Sequence, residues 1–184
     1  GDGSSTYGGI VGIRTKLVDG SHAASAIDAT SGTDNLSEVD GEDLDILRSA
    51  LPQFASMGAT YVAHKAGKNV VFDAILRASG GNTQVDVGGR MVDSYLGDPI
   101  MVSQSMFADT SGTGGNNVAM LLYGNFAQAV TLGERRGFTL NVSSDRYFEY
   151  DQIAIKATCR FDINVHDLGD GTNAGPVVGL IGNS

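Results

Sequence analysis

A long alternating run near the C-terminal end of the chain constrains the fold more than any other feature. Polar and apolar residues follow one another almost without a break over residues 150–163. One face takes Tyr150, Gln152, Ala154, Lys156, Thr158, Arg160 and Asp162, and the other takes Ile153, Ile155, Ala157, Cys159, Phe161 and Ile163. A period of two is typical of a β-strand with one buried face. We therefore predict a strand that spans a whole sheet, forms one side of a core and buries Cys159 as an unreactive thiol.

Two further extended segments precede this run, so that residues 121–164 are interpreted as three strands joined by turns. The first strand begins at Phe126, and the glycine-flanked residues 133–137 reverse it. The second strand alternates over residues 138–143 and ends in a polar turn at residues 143–146. Arg135 and Arg136 would lie in the first of these turns, either solvated or in an ion pair between subunits.

The strongest helix signal covers residues 39–57. Asp40 is the predicted N-cap, and acidic residues follow it in the first turn, where the helix dipole favours them. Pro52 cannot lie within a helix, so we expect a break at the residue before it. Phe54 and Met57 would continue the apolar side beyond the break.

Shorter elements complete an α+β pattern that has more strand than helix and no alternating βαβ units. We predict a strand over residues 60–64, a helix over 68–78, a hairpin over 91–105 that turns at 97–99, and a buried strand over 118–123. Glycine, at 26 of 184 residues, favours turns and long loops over a helix bundle.

Composition excludes several classes of function. The net charge is −9, with 21 acidic against 12 scattered basic residues, which argues against a general nucleic-acid binder. One cysteine forms no intrachain disulfide, and no apolar run approaches the roughly 18 residues of a membrane span. Because the chain begins with Gly1 rather than Met, we expect it to be a piece of a longer protein.

Candidate chemical sites in the sequence are weak. Residues 112–115 contain a Gly-x-Gly pattern without the following helix or the lysine of a phosphate loop. His166, Asp167, Asp170 and Asn173 lack the order of a calcium loop. We predict no catalytic residue, no cofactor and no metal ligand. A small β-rich hydrolase or ligand-binding domain that uses His64 or the His166–Asp167–Asp170 cluster stays open as the alternative.

Several segments together resemble the major capsid protein of tailed bacteriophages with the Hong Kong 97-type fold. They are DLDILRSALPQF, ATYVAHKAGKNVVFDAIL, SYLGDPIMVSQSM and the run from LLYGNFAQAV to RFDINVHD. The shared pattern includes Leu96-Gly97-Asp98-Pro99, Gly124-Asn125-Phe126 and a long strand that ends near Arg160. The resemblance covers residues 8–167. The family's N-terminal arm, extended loop and long spine helix precede the matched region.

The resemblance implies two lobes and a structural role without enzymatic activity. Residues 1–125 would form an axial lobe at the centre of a pentamer or hexamer, with the tail 165–184 returning to it. Residues 126–164 would form a peripheral lobe of long antiparallel strands. The implied function is a subunit of an icosahedral shell in the virion, assembled in the bacterial cytoplasm. The shell of a bacterial compartment is the close variant.

The resemblance also implies which surfaces meet. Loop residues 79–89, with Asn82 and Gln84, would lie at the capsomer axis. Peripheral contacts would use Arg135, Arg136, Asp145, Arg146 and Asp151. Some family members join subunits through a Lys–Asn isopeptide bond assisted by Glu, but those positions correspond here to Asp151 and a site near Thr158. Implied partners are therefore noncovalently bound copies of the chain and a cement or scaffolding protein. DNA would be enclosed as cargo, and no membrane would be involved.

Overall fold

A seven-stranded mixed sheet and a separate two-stranded ribbon make up the fold. The computed structural model describes residues 1–4, 9–79, 84–87 and 90–183. In these ranges the helices are α1 (Ile13–Leu17), α2 (Gly41–Ala50), α3 (Lys65–Gly67), α4 (Asp73–Ser79) and α5 (Phe126–Ala129). The strands are β1 (Ala26–Asp28), β2 (Thr60–Ala63), β3 (Gln84–Val87), β4 (Arg90–Tyr95), β5 (Asp98–Val102), β6 (Ala119–Gly124), β7 (Val130–Tyr147), β8 (Gln152–Val165) and β9 (Val177–Ile181). The predicted α+β class is confirmed.

The seven-stranded sheet has the order β1-β9-β6-β2-β5-β4-β3. Strand β9, near the C-terminal end, lies between β1 and β6 and is buried along its whole length. The pairs β1–β9 and β2–β5 are parallel, and the other pairs are antiparallel. Strands β6 and β9 are inner strands with apolar side chains packed on both sides of the sheet, so side chains on both of their faces are removed from water.

Apolar side chains pack on both faces of this sheet. The larger cluster lies against α2 and α4 and contains an aromatic group of Tyr61, Phe72, Tyr95 and Tyr123. In this group the Tyr61 and Tyr123 rings stack at 4.2 Å, and Phe72 meets Tyr61 edge to face at 5.2 Å. The second cluster packs Leu17 of α1 against residues that include Leu122 and Leu168. These two layers define the sheet lobe, meaning the described residues outside 126–164.

Helix α2 begins as the sequence predicts. The Asp40 side chain accepts hydrogen bonds from the backbone N–H groups of Glu42 and Asp43, at 2.9 and 3.1 Å. Asp43 completes a capping box by accepting the Asp40 N–H at 3.2 Å. Its other oxygen accepts both the N–H and the hydroxyl of Thr30, each at 2.9 Å. Through these hydrogen bonds the Asp43 carboxylate, which is only 1% exposed, joins the helix to the loop that follows β1.

Replacement of Asp43 by Ala is expected to destabilise the protein by about 3 kcal/mol, because it removes the charged acceptor of three part-buried hydrogen bonds, from the Asp40 N–H and from the N–H and hydroxyl of Thr30. Urea denaturation followed by circular dichroism measures this loss. Asp45→Ala is the matched control, since Asp45 is exposed on the same helix. Equal effects of the two substitutions would contradict the structural role of Asp43.

The end of α2 differs in part from the prediction. Leu51 is extended (φ −70°, ψ 126°) before Pro52, so the predicted break is confirmed. The chain then forms a short 3₁₀ turn, Gln53–Ala55, in which the small Ala55 is buried. Phe54 and Met57 are 62% and 86% exposed, so the prediction that they continue the buried side was wrong. The tighter period of the 3₁₀ turn rotates them away from the stripe of α2.

A continuous helical segment runs from α3 through a π-helical turn, Lys68–Phe72, into α4. It starts three residues earlier than predicted, because His64 Nδ1 accepts the Ala66 N–H at 3.1 Å and caps α3. The wider π turn inserts an extra residue, which allows Val71, Phe72 and Leu76 all to face the core. Beyond it, β4 and β5 form the predicted hairpin, but the turn lies at Leu96-Gly97 (φ 49° and 94°), slightly before the predicted position.

The exit from the sheet explains the Gly124-Asn125-Phe126 segment. Gly124 has φ 146°, and a Cβ at this position would lie 2.2 Å from the Pro176 carbonyl oxygen. A glycine is therefore required where β6 passes the start of β9. Asn125 Oδ1 then accepts the Ala127 N–H at 3.2 Å and caps α5. Phe126 consequently lies in a short helix, and the prediction that it begins a strand was wrong.

Candidate assembly surface

A long two-stranded ribbon leaves the sheet lobe after α5 and returns at Val165. Strands β7 and β8 pair antiparallel from Val130↔Val165 to Tyr147↔Gln152. The predicted turns at residues 133–137 and 143–146 do not exist, and one reversal occurs at the 3₁₀ turn Phe148–Tyr150 and Asp151 (φ 52°). Three register irregularities each add residues to β7. They absorb the segments that the sequence indicated as turns, so the ribbon has two strands rather than three.

The two faces of the ribbon differ sharply in polarity. Strand β8 alternates regularly, so its odd-numbered residues share one face, and cross-strand partners lie on the same face. On this face Ile155 lies opposite Val142, and Ala157 lies opposite Leu140. The opposite face pairs polar residues, among them Asn141 with Lys156 and Thr139 with Thr158. We call the first surface the apolar ribbon face.

The apolar ribbon face is uncovered. Val142 and Ile155 are 62% and 66% exposed, and Cys159 is exposed as well. The other large apolar side chains exposed on the ribbon include Leu132, Phe138, Leu140, Ile153 and Phe161. The expectation that this strand forms one side of a core, with Cys159 buried, was therefore wrong for the chain by itself. Alternation correctly indicated which residues share a face, but it cannot specify what covers that face.

The apolar ribbon face has the physical properties of an association surface. An isolated two-stranded ribbon is marginally stable in water, and contiguous apolar patches of this kind mark sites of association. Burial of each large apolar side chain contributes roughly 1.5–3 kcal/mol, so a cover over five or more of them is strongly favourable. The ribbon is held at its base, where Val165 and Ala129 belong to the buried cluster around Leu17.

The predicted contact residues fall at separate places. Arg135 is exposed in the middle of β7, and the backbone of Arg136 lies opposite Arg160, so neither lies in a turn. Asp145, Arg146 and Asp151 are exposed near the ribbon tip. The Arg146 guanidinium lies 5.7 Å from the centre of the Tyr147 ring. Gln84 begins β3 at the far edge of the sheet, and Asn82 lies outside the described residues.

The sites considered for chemistry have structural explanations. His64 caps α3, and His22 Nδ1 lies 2.8 Å from the Gly169 carbonyl oxygen. Asp109 accepts the N–H groups of Ser111 and Gly112 and thereby closes the Gly-rich loop on itself. Asp170 does the same with the N–H groups at positions 172 and 173. In the described part of the chain no three His, Cys, Asp or Glu residues are placed to hold a metal ion.

The sequence did not predict a polar network that lies on the sheet lobe. Arg48 of α2 lies 3.1 Å from Asp98 of β5, and the Tyr123 hydroxyl donates to the same carboxylate at 2.8 Å. Burial, together with the hydrogen bond to Asp98, raises the pKa of Tyr123 to about 12, so the hydroxyl stays a donor at neutral pH. These residues are distant in sequence and follow no spacing rule, and only their packing brings them together. Among the described helices none is long and apolar enough to cross a membrane.

The chain is similar to known proteins in both sequence and structure. The model of the phage capsid family matches residues 1–168. No curated protein matches the chain. The capsid of an empty GTA particle superposes with a TM-score of 0.60 at 14% identity over 98% of this chain and 58% of that one. The holo-SrpI encapsulin complex of Synechococcus elongatus PCC 7942 gives a TM-score of 0.57 at 15% identity, over 90% and 55%.

The family match and the two structural matches indicate the same fold, and each covers most of this chain. The chain spans a little over half the length of both structural neighbours. Their low identity shows the fold alone, whereas the family model covers most of the chain. The sheet lobe, the projecting ribbon and the match over residues 1–168 together show that this chain belongs to the phage capsid family.

Proposed function

We propose that the chain is a structural subunit of an icosahedral phage or prophage shell, and that it binds copies of itself laterally and without covalent links. The observation that carries this proposal is the apolar ribbon face, which stays exposed beside a well-packed sheet lobe. Soluble proteins that function as monomers rarely expose a contiguous apolar surface of this kind to water. Membership of the phage capsid family supports a structural role in the virion rather than an enzymatic one.

In the proposed arrangement the sheet lobe faces the centre of a pentamer or hexamer, and the ribbon lies at the periphery between neighbours. Strand β9 supports the assignment of the C-terminal residues to the axial side, because it is an inner strand of the same sheet. The net charge of −9 suits a container wall that does not adhere to enclosed DNA. Assembly would occur in the bacterial cytoplasm, with a scaffolding or cement protein as a further partner.

Peripheral contacts in this proposal combine apolar burial with ion pairs. Arg135, Asp145, Arg146 and Asp151 are exposed on the ribbon and accessible to a second copy. Ion pairs of this kind contribute little when exposed, so they would fix the register of neighbours rather than supply most of the affinity. Asp151 and Thr158 occupy the positions where the resemblance would require an isopeptide acceptor and its assisting Glu. The shell therefore depends on noncovalent contacts.

Electron microscopy of the natural full-length protein tests the proposal. We expect closed shells or capsomer rings at micromolar concentration. We also expect the purified shells to separate into single subunits on a denaturing gel, because no covalent bond joins them. A protein that stays monomeric at high concentration would contradict the shell function. A ladder of covalent oligomers would contradict only the noncovalent part.

The compartment shell is a second candidate because the encapsulin complex superposes nearly as well as the GTA capsid. The subunit contacts would follow the same physics in both, and the contents would differ. Nuclease-protected DNA inside purified shells would favour the phage assignment. Shells that instead retain a folded protein cargo and no nucleic acid would favour the compartment.

A further inference from the structure

A single lysine connects the helical segment of the sheet lobe to the hairpin formed by β3 and β4. Lys68 Nζ lies 3.2 Å from Asp93 Oδ2 on β4 and 3.3 Å from Asp73 Oδ2 at the start of α4. Its side chain is 20% exposed, so the ion pairs are partly shielded from water. Partly buried pairs of this kind are screened less by salt than surface pairs.

The π-helical turn explains how one lysine reaches both carboxylates. In this turn the Asp73 N–H bonds to the Lys68 carbonyl, five residues earlier instead of four. The wider turn therefore places residue 73 above residue 68, where an α-helix would place residue 72. One carboxylate within the helical segment thus holds the Lys68 side chain and leaves its ammonium directed toward β4.

Asp93 lies at the point where the hairpin leaves the rest of the sheet. Ser94 and Tyr95 of β4 pair with β5, whereas Asp93, among the described residues, pairs with Gln84 of β3. Over residues 84–87 and 90–93, the two strands of the hairpin therefore have each other as their backbone partners. The contact from Lys68 to Asp93 is a side-chain bridge from the helical segment to this projecting part.

The electrostatics around Lys68 favour its charged form. Burial lowers the pKa of Lys68, but the hydrogen bonds and charges of Asp93 and Asp73 outweigh that effect and hold the pKa above its ordinary value. Arg77, on α4, borders the same hollow, and its Nε donates to the Asp73 carbonyl oxygen at 2.9 Å. Lys68 is thus a permanent cation between two acids on different elements.

We propose that Lys68 is a positioning residue that sets the direction of the β3–β4 hairpin relative to α4 and so presents this edge of the sheet to a second copy of the chain. The second half of this statement rests on the proposed shell function. The first half concerns the folded subunit alone. A merely structural role for Lys68 would affect global stability without a local effect on the hairpin.

Hydrogen–deuterium exchange on unassembled full-length subunits tests whether Lys68 positions the β3–β4 hairpin. In Lys68→Met we expect the amides of Gln84–Val87 and Arg90–Tyr95 to exchange roughly two- to fivefold faster, while those of β6 and β9 stay unchanged. Lys65→Met is the matched control, since Lys65 is exposed on the same segment and forms none of the ion pairs found among the described residues. Unchanged exchange in the hairpin of Lys68→Met would overturn the proposal.

Two further variants separate the roles of the two carboxylates. Asp93→Asn removes the bridge to the hairpin and should accelerate its exchange as Lys68→Met does. Asp73→Asn keeps the direct contact between Lys68 and Asp93 and weakens only the hold on the lysine, so the acceleration should be clearly smaller than in Asp93→Asn. The same loosening in both variants would mean that Lys68 stabilises the helical segment generally, and would overturn its positioning role.

Assembly of the same variants tests whether this edge of the sheet is presented to a second copy of the chain. We expect Lys68→Met to yield rings of mixed subunit number by native mass spectrometry, whereas Lys65→Met forms the same rings as the unmodified protein. Normal rings from a variant whose hairpin has loosened would overturn the presentation of this edge to a neighbour. If the unmodified protein forms no rings at all, the shell function fails, and the exchange data still decide the role of Lys68 within the subunit.

Discussion

The Ile155→Asp variant is expected to fold its sheet lobe normally and to fail to assemble. Ile155 and Val142 form a cross-strand pair at the centre of the apolar ribbon face, and both are exposed in the single chain. A charge here costs the subunit little while water surrounds it. In the assembled shell the same carboxylate would be buried without a partner, at a cost of several kcal/mol for each contact. A loss of 3 kcal/mol already weakens an association by roughly a hundredfold.

Sedimentation velocity and electron microscopy of the full-length variant measure this effect. We expect free subunits or small oligomers where the unmodified protein forms shells, and a melting temperature of the dispersed subunit within a few degrees of the original. Asn141→Asp is the matched control, because it adds the same charge to the polar face of the ribbon, opposite Lys156. Normal shells from Ile155→Asp would show that the apolar ribbon face is not an assembly surface.

Phe72→Ala is expected to cause the largest loss of subunit stability, about 3–5 kcal/mol. Phe72 is fully buried and meets the rings of Tyr61 and Tyr95 edge to face at 5.2 and 5.6 Å. Truncation would leave a cavity beneath the sheet that the stacked tyrosines cannot fill without losing their own contacts. For a domain of this size we expect the melting temperature to fall by roughly 8–15 °C.

Urea denaturation gives the change in the free energy of unfolding directly. Tyr61→Phe is the informative companion, because the buried Tyr61 hydroxyl has no hydrogen-bond partner in the described protein. Its removal preserves the ring contacts and should leave stability unchanged or raise it by about 1 kcal/mol. A loss of more than 1 kcal/mol in Tyr61→Phe, or of less than 1 kcal/mol in Phe72→Ala, would mean that this cluster is packed differently.

Local signals in the sequence were sufficient for much of the sheet lobe. Asp40 caps α2, Pro52 ends it, and the buried strand around Leu121 is where its apolar run predicts. Each of these features depends on residues close in the chain, through a cap, a fixed φ angle or a continuous apolar segment. The same local reasoning failed for Phe54 and Met57, because it did not anticipate a 3₁₀ turn after the proline.

The structure of the ribbon could not be predicted from local sequence patterns. Glycines at 133 and 137 are compatible with a turn, yet irregular pairing with β8 lets β7 pass through them as one strand. Pairing is a contact between residues far apart in the chain, so no short window of sequence specifies it. The Asp43–Thr30 and Lys68–Asp93 contacts were missed for the same reason.

By itself the sequence determined the α+β class, the polarity of the two ribbon faces and, through its resemblance, the capsid family. These depend on local periodicity and on the order of motifs along the chain. Only the tertiary structure decided that β9 lies inside the seven-stranded sheet and that the ribbon projects with its apolar face uncovered. The physical reason is that alternation places residues on one face of a strand, whereas burial depends on which other surface packs against that face.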